Sequence, residues 1–228
     1  MLINYHIVVA AGSGSRYGGP LPKQFCPMAG RPVLMTTLER LHDAAPDARM
    51  TVVLSADMTD EWRAMCEAHS FALPHTVVAG GASRAESVRN ALSLIDPATV
   101  GWISVHDGAR PLVDAALFGR LLEALPGADG VIPAVAVTDS LRVIDPSAPG
   151  GSRSVDRALF RAVQTPQLFD GRKLLEANRL PLSPLFTDDA SVMEAAGFGN
   201  LRLAEGSAAN IKITNPGDIR RAELLMES

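Results

Sequence analysis

The chain has 228 residues, of which 47% are hydrophobic and only 5% aromatic, and its formal net charge is −4. This length allows one large domain with a sizeable core. The acidic balance and the scarcity of aromatic residues argue against a nucleic-acid-binding protein, so any basic site must be local.

The two cysteines, Cys26 and Cys66, are too few for a disulfide framework, and we expect free thiols in a reducing compartment. The N-terminal stretch MLINYHIVVAAG has no basic segment ahead of its apolar run, which argues against a signal peptide. No apolar run approaches the roughly 20 residues that span a bilayer. We therefore expect a cytoplasmic protein without membrane or nucleic-acid partners.

Short apolar, β-branched runs predict buried strands that begin near His6, Thr51, His75 and Trp102. Helical spacing of apolar residues occurs between and after these runs. The helical faces are Leu34, Leu38 and Leu41; Val88, Ala91, Leu92 and Ile95; and Phe118, Leu121, Leu122 and Leu125. This alternation predicts an α/β fold, with a doubly wound, mostly parallel, Rossmann-like sheet and helices on both faces.

The pattern changes after Asp129, where a long extended run is followed by the turn sequence DPSAPGGSR. We expect a β-hairpin arm at about 138–158 that projects from a single domain spanning 1–228. Because such an arm has no core of its own, it needs a partner surface, which favours a homodimer. The stretch NIKIT, Asn210–Thr214, predicts a further strand before a final helix.

Ligands of such sheets bind beyond the carboxyl ends of the strands, so the loops after strands are the candidate sites. The first of these loops is rich in glycine and carries Arg16 and Lys23. It fails the dinucleotide pattern G-x-G-x-x-G, because Tyr17 stands at the last position, and it fails the P-loop pattern, because Lys23 follows Pro22. Small residues and two cations suit a polyphosphate, although a solvated surface loop would have the same composition.

Nine stretches carry a resemblance that extends from Ala10 to Thr214: AAGSGSR, PLPKQF, GGASRAESV, HDGARP, TDSLR, VDR, TPQLF, TDDAS and ANIKIT. In this order they resemble the methylerythritol phosphate cytidylyltransferases, nucleotidyltransferases of the non-mevalonate isoprenoid pathway. The resemblance implies a nucleotidyltransferase fold, and transfer of the cytidylyl group of CTP to methylerythritol phosphate with release of pyrophosphate. It also implies Mg²⁺ on the CTP phosphates and an arm that crosses to the partner subunit of a homodimer.

The resemblance also implies roles for individual residues. The implied nucleotide-binding residues are Ala10, Ala11, Gly12, Ser13, Gly14, Gly80, Gly81, Ser87 and Asp107. The implied catalytic residues are Arg16, Lys23, Arg157 and Lys212. The implied acceptor-binding residues are Asp107, Arg110, Ser140, Arg157, Thr165 and Lys212, of which Ser140 and Arg157 lie on the arm.

Several roles stay open at this stage. Asp107 is the best-placed carboxylate for Mg²⁺, directly or through water, but it could instead contact the acceptor or cap a turn. Arg110 could hold the acceptor or pair with Asp107. Family members often carry an acidic residue where Ala82 stands, so backbone groups must serve there, and Ser83 could cap a helix. We expect His106 to be a hydrogen-bonded structural residue. We expect the pair Asp188–Asp189 to begin a helix, with a contribution to the acceptor pocket as a secondary role.

The nearest alternative activity is that of a ribitol-5-phosphate cytidylyltransferase, which shares a stretch like PLPKQF. That branch tends to read A-G-G where this chain has Ala10–Gly12. A nicotinamide-dependent dehydrogenase is disfavoured by the failed glycine pattern. A non-catalytic nucleotide sensor is disfavoured because it has no need of both Arg16 and Lys23.

Overall fold

The computed structural model describes residues 1–12 and 21–227, so Ser13, Gly14 and Arg16 lie outside the described residues. The strands are β1 Ile3–Val9, β2 Pro27–Met28, β3 Arg31–Pro32, β4 Arg49–Leu54, β5 Thr76–Ala79, β6 Val100–Asp107, β7 Gly130–Ala136, β8 Leu141–Ile144, β9 Ser152–Val155, β10 Arg161–Val163, β11 Gln167–Asp170 and β12 Leu201–Glu205. The α-helices are α1 Val33–Ala44, α2 Thr59–Ala68, α3 Arg84–Leu92, α4 Ala115–Ala124, α5 Gly171–Ala177, α6 Asp189–Ala195 and α7 Gly217–Met226. Within the described part of the chain, no helix is long and apolar enough to cross a bilayer.

The central sheet has eight strands in the order β10-β7-β11-β6-β1-β4-β5, and β12 pairs with β7 beside this path. The pairs β1–β4, β1–β6, β4–β5 and β12–β7 are parallel, whereas β10 and β11 pair antiparallel with their neighbours. This confirms the predicted α/β fold with a mostly parallel sheet. The four predicted strands correspond to β1, β4, β5 and β6.

The core lies on both faces of this sheet because successive strand residues point to opposite sides. Val52 belongs to the apolar cluster formed with helices α1, α2 and α4, which includes Leu38 and Phe118. Its neighbour Val53 belongs to the opposite cluster, formed with α3, α5 and α6, which includes Val88. Helices therefore cover both faces, as the sequence predicts.

Beyond the main sheet, β8 and β9 form a separate antiparallel hairpin and pair with no other strand of the described residues, with Leu141 opposite Val155 and Ile144 opposite Ser152. This hairpin lies within the predicted arm. The predicted strand Asn210–Thr214 is wrong, because that segment has no regular secondary structure. The strand of this region is β12, which is parallel to β7.

Candidate active site

A cleft of about 450 Å³ lies at the carboxyl ends of β1, β5 and β6, where the loops that follow these three strands meet. Its lining residues are Val9, Ala10, Ala11, Gly12, Lys23, Gln24, Gly81, Ala82, Ser83, Arg84, Ser87, Asp107, Ala109 and Lys212. The parallel arrangement of the three strands explains this meeting, because their carboxyl ends share one edge of the sheet.

The start of the loop after β1 is held in place by the buried side-chain amide of Gln24. The Nε2 of Gln24 donates to the carbonyl of Ala10 at 2.6 Å and to that of Gly12 at 3.2 Å. Gln24 belongs to the short 3₁₀ turn Lys23–Phe25, so the same contact sets where Lys23 enters the cleft. The sequence reading did not identify Gln24, although it directly follows Lys23 in the motif.

The loop after β5 is closed by the first turn of α3. The Ser83 hydroxyl accepts from the backbone N–H of Glu86 at 3.1 Å, which confirms Ser83 as the helix cap. The Ser87 hydroxyl accepts from the N–H of Gly81 at 3.1 Å and donates to the carbonyl of Ser83 at 2.9 Å. The N–H of Ala82 donates to a carboxylate oxygen of Glu86 at 2.7 Å, so an acidic group does lie beside Ala82.

Gly80 lies behind this loop rather than in the lining of the cleft. A Cβ at this position would come within 2.5 Å of the Ala11 Cβ and 2.9 Å of the Ser87 Oγ. Glycine is therefore required for the close packing of the loops after β1 and β5.

Asp107 ends β6 and is surrounded by cations. Its carboxylate lies 2.9 Å from the Lys212 Nζ, 3.4 Å from the Arg110 Nε and 3.8 Å from the Arg84 Nε. Burial alone would raise the pKa of Asp107, but Lys212, Arg84 and Arg110 hold it well below its usual range. Asp107 is thus a carboxylate anion that holds the side chains of Lys212, Arg110 and Arg84 at the base of the cleft.

Arg84 links Asp107 to a second buried carboxylate, for which the main prediction from the sequence is a helix start. Its Nη1 lies 2.7 Å from the Oδ2 of Asp189, whose side chain is 2% exposed. Burial would lower the pKa of Arg84, but Asp189 and Asp107 raise it above its ordinary value. Asp188 caps α6 and Asp189 begins it, as expected. The link could not be predicted, because its two residues are far apart in the sequence.

Three further residues support Asp107 from behind without lining the cleft. The Thr165 hydroxyl accepts from the backbone N–H of Asp107 at 3.0 Å and lies 2.9 Å from the Nδ1 of His106. The Nε2 of His106 lies 3.0 Å from the carbonyl of Arg110. Burial lowers the pKa of His106 to about 4, so this residue is a neutral structural group, as expected. Arg110 pairs with Asp107, which was one of its two open roles.

The arm residues are not brought to this cleft within one chain. Arg157 and Ser140 are exposed, and the Arg157 guanidinium donates to the backbone carbonyl of Thr138. Neither residue lines the cleft that contains Lys23 and Lys212. In this chain alone, Ser140 and Arg157 are therefore separate from the other implied acceptor-binding residues.

The arrangement suits a ligand with several negative charges. Lys23, Arg84 and Lys212 line the cleft, and small residues leave backbone groups accessible along one wall. Among the described lining residues, no histidine is present that could act as a general base. The chemistry available is thus positioning and charge stabilisation.

Comparison with known proteins gives one consistent result. The profile of the family described as IspD, 2-C-methyl-D-erythritol 4-phosphate cytidylyltransferase, matches residues 5–228. The protein of that name from Bacteroides fragilis is 40% identical over 96% of this chain and 98% of its own length. The one from Cereibacter sphaeroides is 44% identical over 96% of this chain and 95% of its own.

Solved structures agree with the sequence comparison. The crystal structure of 4-diphosphocytidyl-2C-methyl-D-erythritol synthase from Anaerococcus prevotii superposes with a TM-score of 0.81 at 25% identity, covering 100% of this chain and 99% of that one. The fold, the ordered motifs and the full-length matches lead to one conclusion: the chain belongs to the 2-C-methyl-D-erythritol 4-phosphate cytidylyltransferase family.

Proposed function

We propose that this protein transfers the cytidylyl group of CTP to 2-C-methyl-D-erythritol 4-phosphate, with release of pyrophosphate. The observation that carries the proposal is the convergence of Lys23, Asp107 and Lys212 on one cleft lined by the glycine-containing loops. Family membership favours this acceptor over ribitol 5-phosphate.

In the proposed reaction, a phosphate oxygen of the acceptor attacks the α-phosphorus of CTP. The bond from the α-phosphorus to the oxygen that bridges it to the β-phosphorus breaks, and pyrophosphate leaves with that oxygen. Because the second pKa of a phosphate monoester is about 6, the nucleophile is already largely deprotonated at neutral pH. No general base is needed, which agrees with the lining of the cleft.

Lys23 is proposed to stabilise the charge that accumulates on the transferred and leaving phosphates. Lys212 is proposed to hold the acceptor phosphate, which would then replace Asp107 as its partner. The Lys212 side chain is 41% exposed, so it can reach a ligand while its present partner is fixed at the base of the cleft.

The surroundings of Asp107 do not suit direct binding of Mg²⁺ by its carboxylate. Its two oxygens already face Arg84, Arg110 and Lys212, and a divalent cation there would meet their repulsion. Among the described residues, no group of three or more histidine, cysteine or acidic side chains is arranged to hold a metal ion. We therefore propose that Mg²⁺ is held by the oxygens of the triphosphate, as hard cations prefer.

We further propose that the arm completes the site of a second copy of the chain. Large apolar side chains are exposed along the arm and the strand that follows it: Val143, Ile144, Leu159, Phe160 and Val163. An exposed apolar surface of this kind is typical of an interface. A homodimer would cover it, and it would bring Ser140 and Arg157 to a cleft that they do not reach in their own chain.

The test is pyrophosphate release with CTP and Mg²⁺, with methylerythritol 4-phosphate compared with ribitol 5-phosphate. We expect release with the first acceptor, and a loss of about 10²- to 10³-fold for Lys23→Ala, as for one preorganised charge donor. Lys173→Ala is the matched control, because Lys173 pairs with Asp129 outside the lining of the cleft. Release with ribitol 5-phosphate alone would support the proposed cytidylyl transfer but contradict the proposed acceptor. No release with either acceptor would overturn the proposal.

A further inference from the structure

The segment that carries Lys212 lacks a strand, so something else must fix its position. Its ends are tied by backbone hydrogen bonds, from Gly206 to the carbonyl of Ala134 at 2.9 Å and from Ile213 to that of Ala109 at 2.8 Å. Between these ends, residues 207–212 pair with none of the strands in the described part of the chain. Asn210 and Ile211 donate to carbonyls within the segment, and side-chain hydrogen bonds connect the segment to the rest of the chain.

The main contact is made by Gln164, which directly follows β10 and is 7% exposed. Its Oε1 accepts from the N–H of Ser207 at 3.1 Å, and its Nε2 donates to the carbonyls of Ser207 at 2.8 Å and Asn210 at 3.3 Å. The side-chain amide of Gln164 is therefore hydrogen-bonded to the backbone of two residues in the segment.

The close approach of Gln164 depends on Gly206. A Cβ at Gly206 would come within 2.6 Å of the Gln164 Oε1 and 3.0 Å of a Val135 methyl group. Real Cβ atoms do not approach other atoms so closely, so glycine is needed for this contact. The hydrogen bonds between Gln164 and the segment therefore require both the Gln164 amide and a glycine at position 206.

A second set of hydrogen bonds connects the segment to the charges at the base of the cleft. The fully buried Asn210 donates from its Nδ2 to the carbonyl of Thr165 at 2.8 Å, and its own carbonyl accepts from the Arg110 Nη1 at 2.9 Å. Arg110 pairs with Asp107, which in turn pairs with Lys212. The chain of contacts that starts at Gln164 therefore ends at the Lys212 ammonium group.

We propose that Gln164 is a positioning residue that sets where Lys212 enters the active site. The proposal rests on the role of Lys212 in the proposed function. Lysine is a flexible side chain, so the reach of its ammonium group is determined by where its backbone is held. A misplacement of about 1 Å in such a site can lower the rate by about 10²-fold. Gln164 acts through Lys212 and does not itself line the cleft.

The test is a double-mutant cycle between Gln164→Met and Lys212→Ala, measured as kcat/KM for pyrophosphate release. Met keeps the length of the side chain but cannot donate or accept the three hydrogen bonds. We expect Gln164→Met alone to lower kcat/KM by about 10-fold or more, with a larger rise in KM for the acceptor than for CTP. In the Lys212→Ala background we expect less than about a 2-fold further loss, because residues that act as one unit are not additive.

Asn178→Ala is the matched control for a lost buried amide. Asn178 is 6% exposed and donates to the carbonyl of Leu174, away from the Lys212 segment. We expect this variant to lose thermal stability and keep its kcat/KM. If Gln164→Met does not fold, Gln164→Glu replaces it in the cycle, because it keeps the size and the acceptor and removes the donor.

The outcomes separate the inference from the proposed function. If Gln164→Met lowers kcat/KM by the same factor in the wild-type and Lys212→Ala backgrounds, the positioning role is overturned. An unchanged kcat/KM in a folded Gln164 variant would also overturn it. An unchanged rate for Lys212→Ala alone would instead overturn the role proposed for Lys212 and, with it, this inference.

Discussion

At the scale of single residues, the base of the cleft is organised by two buried carboxylates that share one guanidinium. Arg84 lies 2.7 Å from Asp189 and 3.8 Å from Asp107. Asp107 also faces Arg110 and Lys212, so it has other partners, whereas Arg84 is the cation paired with Asp189 among the described residues. Burial raises the pKa of Asp189 and Arg84 lowers it, so loss of Arg84 would leave a buried carboxyl group without the cation that stabilises its charged form.

We expect Arg84→Met to lower the free energy of unfolding by about 3 kcal/mol, the loss typical when one partner of a buried ion pair is removed. Urea denaturation of the unliganded protein measures this change. The control is the double variant Arg84→Met/Asp189→Leu, which removes both charges and should be more stable than Arg84→Met alone. A double variant less stable than the single one would contradict this account of the pair.

His6 gives a second prediction, on acid stability. It is fully buried against Trp102 and Phe118, and its Nδ1 lies 2.6 Å from the Ser104 hydroxyl. Burial, with His106 and His42 as further causes, lowers the pKa of His6 from 6.5 to about 3. Between these values the unfolded chain binds a proton that the folded chain does not, so stability falls as the pH drops from 6.5 towards 3.

We expect His6→Gln to reduce the slope of the unfolding free energy against pH by up to about 1.4 kcal/mol per pH unit in this window. Urea denaturation of both proteins between pH 6.5 and 4.5 measures the slopes. His106 is present in both proteins, so its own titration contributes to both slopes. Identical slopes would show that His6 is protonated in the folded state.

At the scale of elements, the packing of the loop after β5 on the loop after β1 depends on Gly80. We expect Gly80→Ala to raise the KM for CTP by about 10-fold or more, because its Cβ would displace Ala11 or Ser87 at the cleft. Steady-state kinetics with varied CTP measures this. Gly119→Ala is the matched control. Gly119 lies within α4, and a Cβ there meets nothing within 4 Å, so the change should stabilise the protein by about 0.5–1 kcal/mol.

The arm gives a second prediction at this scale. Leu159, just after the arm, is 82% exposed in the single chain, and the proposed dimer would cover it. We expect Leu159→Glu to convert a dimer to a monomer in analytical ultracentrifugation and to lower the rate of pyrophosphate release. Leu94→Glu, at a residue that is 60% exposed beyond the end of α3, should leave both unchanged. A wild-type monomer with full activity would contradict the proposed role of the arm.

At the scale of the whole molecule, the sequence predicts the parts of the fold that local patterns determine. The four predicted runs correspond to strands β1, β4, β5 and β6, because a parallel strand reads as a short apolar, β-branched segment. The prediction that all four are buried is wrong for β5, which lies at the edge of the sheet and is only partly buried. The cleft could be located for the same reason, since the loops after parallel strands meet at one edge of the sheet. The family could be identified from motifs that these loops carry.

What the sequence did not predict depends on contacts between distant segments. The apolar alternation of Asn210–Thr214 predicts a strand, but other contacts satisfy its backbone: the carbonyl of Asn210 accepts from Gln164 and Arg110, and the N–H of Ile213 donates to the carbonyl of Ala109. The pairing of Arg84 with Asp189 has no local signal, because both residues also fit the first turns of their helices. Gln24 was missed because its hydrogen bonds to the carbonyls of Ala10 and Gly12, more than ten residues before it, leave no local sequence pattern.

The central claim is that the acceptor phosphate attacks the α-phosphorus of CTP in this cleft. The most direct measurement is the fate of ¹⁸O placed in the phosphate of methylerythritol 4-phosphate, followed by ³¹P NMR and mass spectrometry of the products. The account predicts that all of the label stays in the cytidine diphosphate product and that the released pyrophosphate carries none. Label in the pyrophosphate, or a product without the cytidylyl group, would contradict it.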